Sequence, residues 1–597
     1  MPLRPLVLLA CLLLSPLPSA VPARAAAPVP VAGENGMVVS AQHLASAVGI
    51  DVLKQGGNAI DAAVAVGYAL AVVYPAAGNL GGGGFMTLRF ADGRTSFLDF
   101  RETAPLAATE TMYLDAAGKV VPKASTDGYL SVGVPGSVRG LDTALTRYGT
   151  LPRQRVMAPA IALAADGFVL TQADVDMLRE GLEGFRNDPP SAAIFLKGGL
   201  KGDVKDGQPL RAGDRLVQRD LAAVLRQIAE TGADGFYRGP AADAIVRASA
   251  ANRGILAKAD FERYAVREMK PVECTYRGYT ITSAPPPSSG GVTMCLILNV
   301  LEGYPLDYLG FHSAQSVHLM VEAMRHAYLD RNSTLGDPDF VDNPVARLLD
   351  KGYAAKIRAA IDPDRAGSSA ALKPGTPPHE NFPHENAHEG SQTTHYSIID
   401  KDGNVVAVTY TLNAWFGAKV VAPGTGILLN DEMDDFTVKP GVPNMFGLVQ
   451  GAANAIRPGA RPLSSMSPTV VSRDSKPVMV IGSPGGSRII TITLEAILNV
   501  IDHGMTIQEA IDAPRIHHQW LPDTIQVEPF ALAPDTRRIL AGMGYGFTEI
   551  PSWGDAAGIL VGGPALGRRA DAGDGGDRLR YFGANDDRAP TGAAMGY

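Results

Sequence analysis

The sequence predicts an α/β protein in which two halves of the chain build one body. Three stretches carry that expectation. "GGNAIDAAVAVGYALAVVYP" (56–75) opens with glycines and Asn58, which suit a helix start, runs on as an almost wholly apolar helix and stops at Pro75. A helix that is apolar on every side has to be buried. "NLGGGGFMTLRF" then feeds a glycine run into a strand, and "TSFLDFRETAP" reads as a second strand that delivers Arg101 at its end. Past residue 392 short β-type runs return, "SIIDKDGNVVAVTYTL" and "TVVSRDSKPVMVIGSP", with a helix over 488–503.

Between these stretches, 151–266 reads as mainly amphipathic helix with short polar breaks, and "PPPSSGG" (285–291) as a sharp turn into another apolar helix. Residues 362–392 are poor in large apolar side chains and rich in Pro, Gly, Ser, His and Glu, the composition of a flexible tether. Strands and helices lie on both sides of it. One body completed by both parts is therefore favoured over two independent domains. No repeat of fixed period is present.

The 597 residues hold 66 glycines and 44 prolines, which implies a large core with many turns. A formal charge of −8, a pI near 5.8 and no block of Lys or Arg argue against nucleic acid or an anionic membrane as partner. The N-terminus has Arg4, an apolar run over 6–14, and small residues Ala23 and Ala25 that suit a signal peptidase. Residues 1–25 thus read as a signal peptide, and the mature chain as exported, periplasmic or secreted. A lipoprotein cut at Cys11 is the weaker alternative, because it would leave Leu12 to Leu14 on the product. No later stretch is long and apolar enough to span a bilayer. Cys274 and Cys295 form either one disulfide or two buried thiols.

Asp400-Lys401-Asp402-Gly403-Asn404 fits a three-residue hairpin loop with Gly403 in the left-handed position. If Asp400 faces Asn404, then Ser397 faces Ala407, His395 faces Thr409 and Thr393 faces Thr411. Ile399 and Val405 then share one face, Ile398, Val406 and Val408 the other, as expected for a sheet covered on both sides. A threonine where a mobile tether meets a buried strand is a candidate for self-cleavage. Its hydroxyl attacks the Gln392 carbonyl, water opens the ester, and Thr393 becomes a new N-terminus whose α-amine, of unperturbed pKa about 7.7 to 8.0, serves its own hydroxyl as base. The alternative is an ordinary β-branched strand residue.

The motifs "GGNAIDAA", "NLGGGGFM", "DFRETAP", "APPPSSGG" and "GDPDFV" precede the tether; "TTHYS", "VTYTLN", "GILLNDEMDDF", "KPGVPNMFGLV", "RPLSSMSPT", "GSPGGSRII" and "APRIHHQWLPD" follow it. Together they closely resemble the gamma-glutamyltransferase (gamma-glutamyltranspeptidase) family of N-terminal-nucleophile hydrolases, from about residue 31 to 597. The resemblance implies an αββα sandwich and a precursor that cuts itself before Thr393 into a large subunit, 26–392, and a small one, 393–597, which remain together as a heterodimer. It implies Thr393 as nucleophile, Thr411 as its hydrogen-bonding neighbour, and Gly485 and Gly486 as the oxyanion hole. For the substrate it implies Arg101, Ser464 and Ser465 on the α-carboxylate of a gamma-glutamyl group, and Asp435, with Asn413 and Glu432, on its α-ammonium. Planar guanidinium suits a carboxylate through two parallel bonds. Phe446 matches an aromatic lid residue. Glu432 departs from members with glutamine there. The implied donors are glutathione and related gamma-glutamyl compounds, the acceptors water, amino acids or dipeptides, and neither metal nor organic cofactor is called for.

Three other signals are weaker. His379, His384 and His388 suggest a metal site, but Pro383 breaks any helix that would align them. His395 shares a strand face with Thr393 but is expected as a packed side chain rather than a base. The glycines of "GNLGGGGF" lack the Lys and Ser/Thr of a phosphate loop and fit close backbone packing. Two rival functions are a glutaryl acylase of the same fold, which has no use for an ammonium acceptor, and a silent export protein that binds glutamate-like ligands.

Overall fold

Along each central strand apolar side chains alternate between two covered faces, and this sorts the molecule into layers. The computed structural model describes residues 28–199, 207–372, 392–566 and 581–597. The predicted signal peptide, most of the 362–392 tether and its three histidines lie outside these residues.

Two seven-stranded antiparallel sheets form the centre. The first runs Ala593–Gly596, Met37–Ser40, Thr393–Ile399, Val405–Thr411, Gly83–Arg89, Thr95–Phe100 and Arg267–Met269. The second runs Val31–Gly33, Tyr581–Asn585, Ala557–Val561, Lys476–Gly482, Thr469–Arg473, Tyr279–Ser283 and Val272–Tyr276. Each sheet mixes strands from before and after the Gln392–Thr393 bond. Met37, Val39, Ile399, Val405 and Ala407 of the first sheet pack against Val470, Val480, Ala557 and Ile559 of the second.

The outer faces are covered by helices. Ile398, Val406, Val408, Met86 and Leu98 meet the helix Ala59–Val73 and its neighbours. Ile281, Val471, Met479 and Leu560 meet Gly290–Leu301, Ala314–Thr334 and Ile489–Ile501. The order helix, sheet, sheet, helix is the αββα sandwich.

The helix Ala59–Val73 is buried along its entire length, as its apolar run predicts. Asn58 and Asp61 cap it reciprocally. Asp61 is tolerated in the core because it also accepts bonds from the Thr150 N–H, the Thr150 hydroxyl and the Leu151 N–H. Cys274 and Cys295 form a disulfide, which fastens the edge strand Val272–Tyr276 to the helix Gly290–Leu301. Among the described residues no helix is long and apolar enough to cross a membrane.

The hairpin has the predicted register, with Thr393 opposite Thr411, His395 opposite Thr409 and Ser397 opposite Ala407. Gly403 closes it at φ 87°, and Asp400 and Asn404 pair through the Asp400 N–H at 3.1 Å.

Candidate active site

Thr393 opens its strand and Thr411 ends the adjacent one, so the ladder brings their hydroxyls to 3.1 Å. Both side chains are buried. The Thr411 oxygen accepts the Asn413 N–H at 2.9 Å, and its single proton goes to the Gln392 carbonyl at 3.1 Å. Thr393 is therefore the donor within the hydroxyl pair. The chain that results, Thr393 O–H to Thr411 O–H to Gln392 C=O, ends on the peptide bond that precedes Thr393.

The start of the strand Gly83–Arg89 passes close to this pair. A Cβ on Gly82 would lie 1.9 Å from the Thr411 carbonyl oxygen, so the glycine run serves close backbone packing, as its sequence suggests. Past Thr411 the chain turns at Asn413, whose φ of 78° asparagine tolerates, and its side-chain amide donates to the Asp431 carbonyl at 3.1 Å.

His395 bonds to the Thr409 hydroxyl at 2.8 Å and the Ser397 hydroxyl at 3.0 Å, not to Thr393. Burial pushes its pKa down to about 3, which makes it a neutral, packed imidazole. The unfolded chain takes up a proton near pH 6.5 that the folded chain refuses until about 3, so stability is lost as pH falls through that window. At pH 5 the loss is about 2 kcal/mol. His395→Asn is expected to flatten the fall in urea midpoint between pH 7 and pH 5; an unchanged slope would contradict this placement.

A cavity of about 20 Å³ adjoins the two threonines. Arg101, Asn413, Glu432, Asp435, Ser464 and Ser465 all line it, with Phe446 and Gly486. Gly485, at φ 134°, stands one residue behind that wall. The strand Thr95–Phe100 delivers Arg101 as predicted, and the loop is held by the Asp99 carboxylate on the Arg101 N–H at 3.0 Å and the Tyr264 hydroxyl on its carbonyl at 2.9 Å.

In one respect the geometry differs from the sequence expectation. Arg101 and the two acids, assigned to opposite ends of one ligand, are direct partners: its terminal nitrogens bond to Glu432 and Asp435, and its Nε donates to the Pro462 carbonyl at 3.3 Å. The reason is electrostatic, since buried charges need partners. Burial opposes the Arg101 charge, but Glu432, Asp435 and Glu102 outweigh it and hold the guanidinium above its ordinary pKa. Burial likewise raises Glu432 and Asp435, with Arg101 opposing the rise.

Two residues of the site escaped the sequence reading. Glu102, 3.6 Å from the guanidinium, is pushed up to about 7, mainly by burial; its position beside Arg101 in "FRETAP" was the available signal. Arg331 also lines the cavity, from the helix Ala314–Thr334. Nothing in its sequence neighbourhood separates it from a surface arginine.

The loop that carries Phe446 is pinned through the Met445 N–H on Asp434 at 3.0 Å and the Gln519 amide on the Phe446 carbonyl at 3.1 Å. Phe446 is buried and lies over Gly486, where a Cβ would come within 2.5 Å of its ring and φ is 55°. Glycine alone suits that position.

Two facing antiparallel sheets between helical layers, with a hydroxyl residue at the first position of a central strand, define the N-terminal-nucleophile hydrolase fold. The chain belongs to the gamma-glutamyltranspeptidase family, whose sequence profile matches residues 45–581. It is 62% identical over 574 residues to a glutathione hydrolase proenzyme of Pseudomonas sp. (strain A14), covering 96% of each chain. It is 41% identical over 494 residues to the acylase ACY 1 proenzyme of Pseudomonas sp. (strain SE83), covering 82% of this chain and 83% of that one. Its structure resembles that of a cephalosporin acylase from Bacillus halodurans with a TM-score of 0.79 at 26% identity, over 98% and 99% of the two chains. The protein is thus an enzyme of the hydrolase and acyltransferase type.

Proposed function

We propose that the chain is an exported gamma-glutamyltransferase and glutathione hydrolase that activates itself at the Gln392–Thr393 bond. The observation that carries this reading is one cavity in which Arg101, Glu432 and Asp435 stand beside the Thr393 hydroxyl. In self-cleavage the Thr393 oxygen bonds to the Gln392 carbonyl carbon, and the C–N bond breaks. The nitrogen takes up the hydroxyl proton and becomes the α-amine; water then opens the ester and leaves a carboxylate on Gln392. Thr411, bonded to both the hydroxyl and the carbonyl oxygen, supports the attack from both ends.

In turnover the α-amine draws the proton from the Thr393 hydroxyl as it attacks the gamma-amide carbon. A donor with both an α-carboxylate and an α-ammonium exchanges with the pairs already present: its carboxylate takes Arg101, Ser464 and Ser465, and its ammonium takes Asp435, Glu432 and Asn413. The N–H groups of Gly485 and Gly486 receive the oxyanion, a donor of that kind contributing ~2.7 to 4 kcal/mol. The amine leaves with the proton, and the Thr393 ester passes its glutamyl group to water or to an amino acid or dipeptide. With Phe446 down, water has little access, which favours transfer over hydrolysis.

A glutaryl acylase is the second reading, favoured by the acylase names of one relative and one structural neighbour. The two readings differ in the ammonium. Gamma-glutamyl p-nitroanilide is expected to be cleaved faster than glutaryl p-nitroanilide, because only the former satisfies Glu432 and Asp435 once Arg101 turns to the carboxylate. Faster turnover of the glutaryl compound would assign the enzyme to the acylases.

A further inference from the structure

Charge around the cavity is unevenly matched. Arg101 is bonded to two carboxylates and lies near a third. Arg331, equally buried, has no carboxylate within ion-pair distance among the described residues. Its guanidinium is held by neutral oxygens: Nε on the Ser289 hydroxyl at 3.1 Å, Nη1 on the Gln450 amide oxygen at 2.8 Å and on Asn332 Oδ1 at 3.0 Å, Nη2 on the Ser465 hydroxyl at 3.2 Å. Asp435 acts on it only from beyond ion-pair distance, and a buried cation with no direct ion pair is costly and needs a reason.

The neutral partners suggest one. Ser465 accepts from Arg331, so its own proton is free to point at a ligand, and a hydroxyl that accepts from a cation donates more strongly. Ser289 accepts from Arg331 and passes its proton to the Ser464 carbonyl at 2.6 Å. Gln450 accepts from Arg331 and donates to the Asp435 carbonyl at 3.2 Å. One guanidinium thereby ties together the serine pair and the backbone of Asp435.

We propose that Arg331 is the positioning residue for α-carboxylate recognition: it supplies a second positive charge that no described carboxylate contacts directly and aims the Ser465 hydroxyl at the carboxylate of the donor. This rests on the gamma-glutamyl reading above. Arg101, held by acids of its own, completes the clamp, while Arg331 adds the second cation that, with Arg101, balances Glu432 and Asp435. Burial pushes the Arg331 pKa down only to about 10, so the charge persists at neutral pH.

The test compares two anilides on wild-type enzyme and on Arg331→Gln. Gamma-glutamyl p-nitroanilide carries the α-carboxylate; 4-aminobutyryl p-nitroanilide is the same donor without it. In the variant, kcat/KM for the first is expected to fall about 10- to 100-fold further than for the second, and the loss on the first to appear mainly in KM. Equal losses on both substrates, or a loss confined to kcat on the first, would overturn the proposal. Arg331→Lys, which keeps the charge and loses the fork, is expected to recover part of the KM. Should neither variant cleave itself and fold, the charge serves the fold and the proposal fails. The gamma-glutamyl reading fails separately, if the wild-type enzyme itself prefers glutaryl to gamma-glutamyl p-nitroanilide.

Discussion

Thr393→Ala is expected to leave the chain in one piece and to lower release of p-nitroaniline from a gamma-glutamyl anilide on the order of 10⁴-fold or more. Both effects follow from one oxygen atom. Without it nothing attacks the Gln392 carbonyl, so no amino terminus forms at 393, and no ester can form on an acyl donor. Thr411 cannot substitute, because its hydroxyl meets the Gln392 carbonyl as a hydrogen-bond donor to oxygen at 3.1 Å and is fixed there by the Asn413 N–H. Thr393→Ser keeps the attacking atom and is expected to be cleaved, more slowly, since the missing methyl group lets the side chain rotate away from Thr411. Gel analysis and mass spectrometry of the purified proteins decide the matter. A small subunit that begins at residue 393 in the alanine variant, or full turnover by it, would remove Thr393 from both reactions.

The hairpin that carries this threonine was legible because its information is local. A loop with Gly403 in it fixes the register, and alternation of Ile398 with Ile399 fixes the faces. The buried helix Ala59–Val73 was legible for the same reason. Its cap, its apolar run and its terminal proline all lie within one short stretch.

What the sequence does not display is who pairs with whom across hundreds of residues. Met37–Ser40 lies between Thr393–Ile399 and Ala593–Gly596, partners drawn from the interior and the C-terminal end of the chain, and no local pattern announces it. The same holds for the site. The motifs placed Arg101, Glu432 and Asp435 in one pocket, but whether a buried cation faces a ligand or an acid depends on distances that only the folded chain sets. Arg331 was invisible because its environment is assembled by Ser289, Gln450 and Ser465, which come from three separate parts of the chain.

The pairing of Arg101 makes a second strong prediction. Arg101→Met keeps an unbranched apolar stem and removes the charge, which leaves Glu432 and Asp435 buried without their cation. Breaking a buried pair in this way costs about 3–5 kcal/mol, so the variant is expected to unfold at a markedly lower urea concentration at pH 7.5 and to lose turnover of gamma-glutamyl substrates. The deficit has a sign with respect to pH. Burial already raises both carboxyls while Arg101 opposes the rise, so its removal raises them further. The folded variant then binds more protons than the unfolded chain between the ordinary carboxylate range and those raised values, and its stability increases as pH falls through that interval. The gap between variant and wild type is therefore expected to be narrower at pH 5 than at pH 7.5. Urea midpoints of both proteins at the two pH values measure it. A gap that is unchanged, or wider at pH 5, would mean that the two carboxyls find other partners when the guanidinium is removed, and that Arg101 does not hold the acid side of the pocket in place.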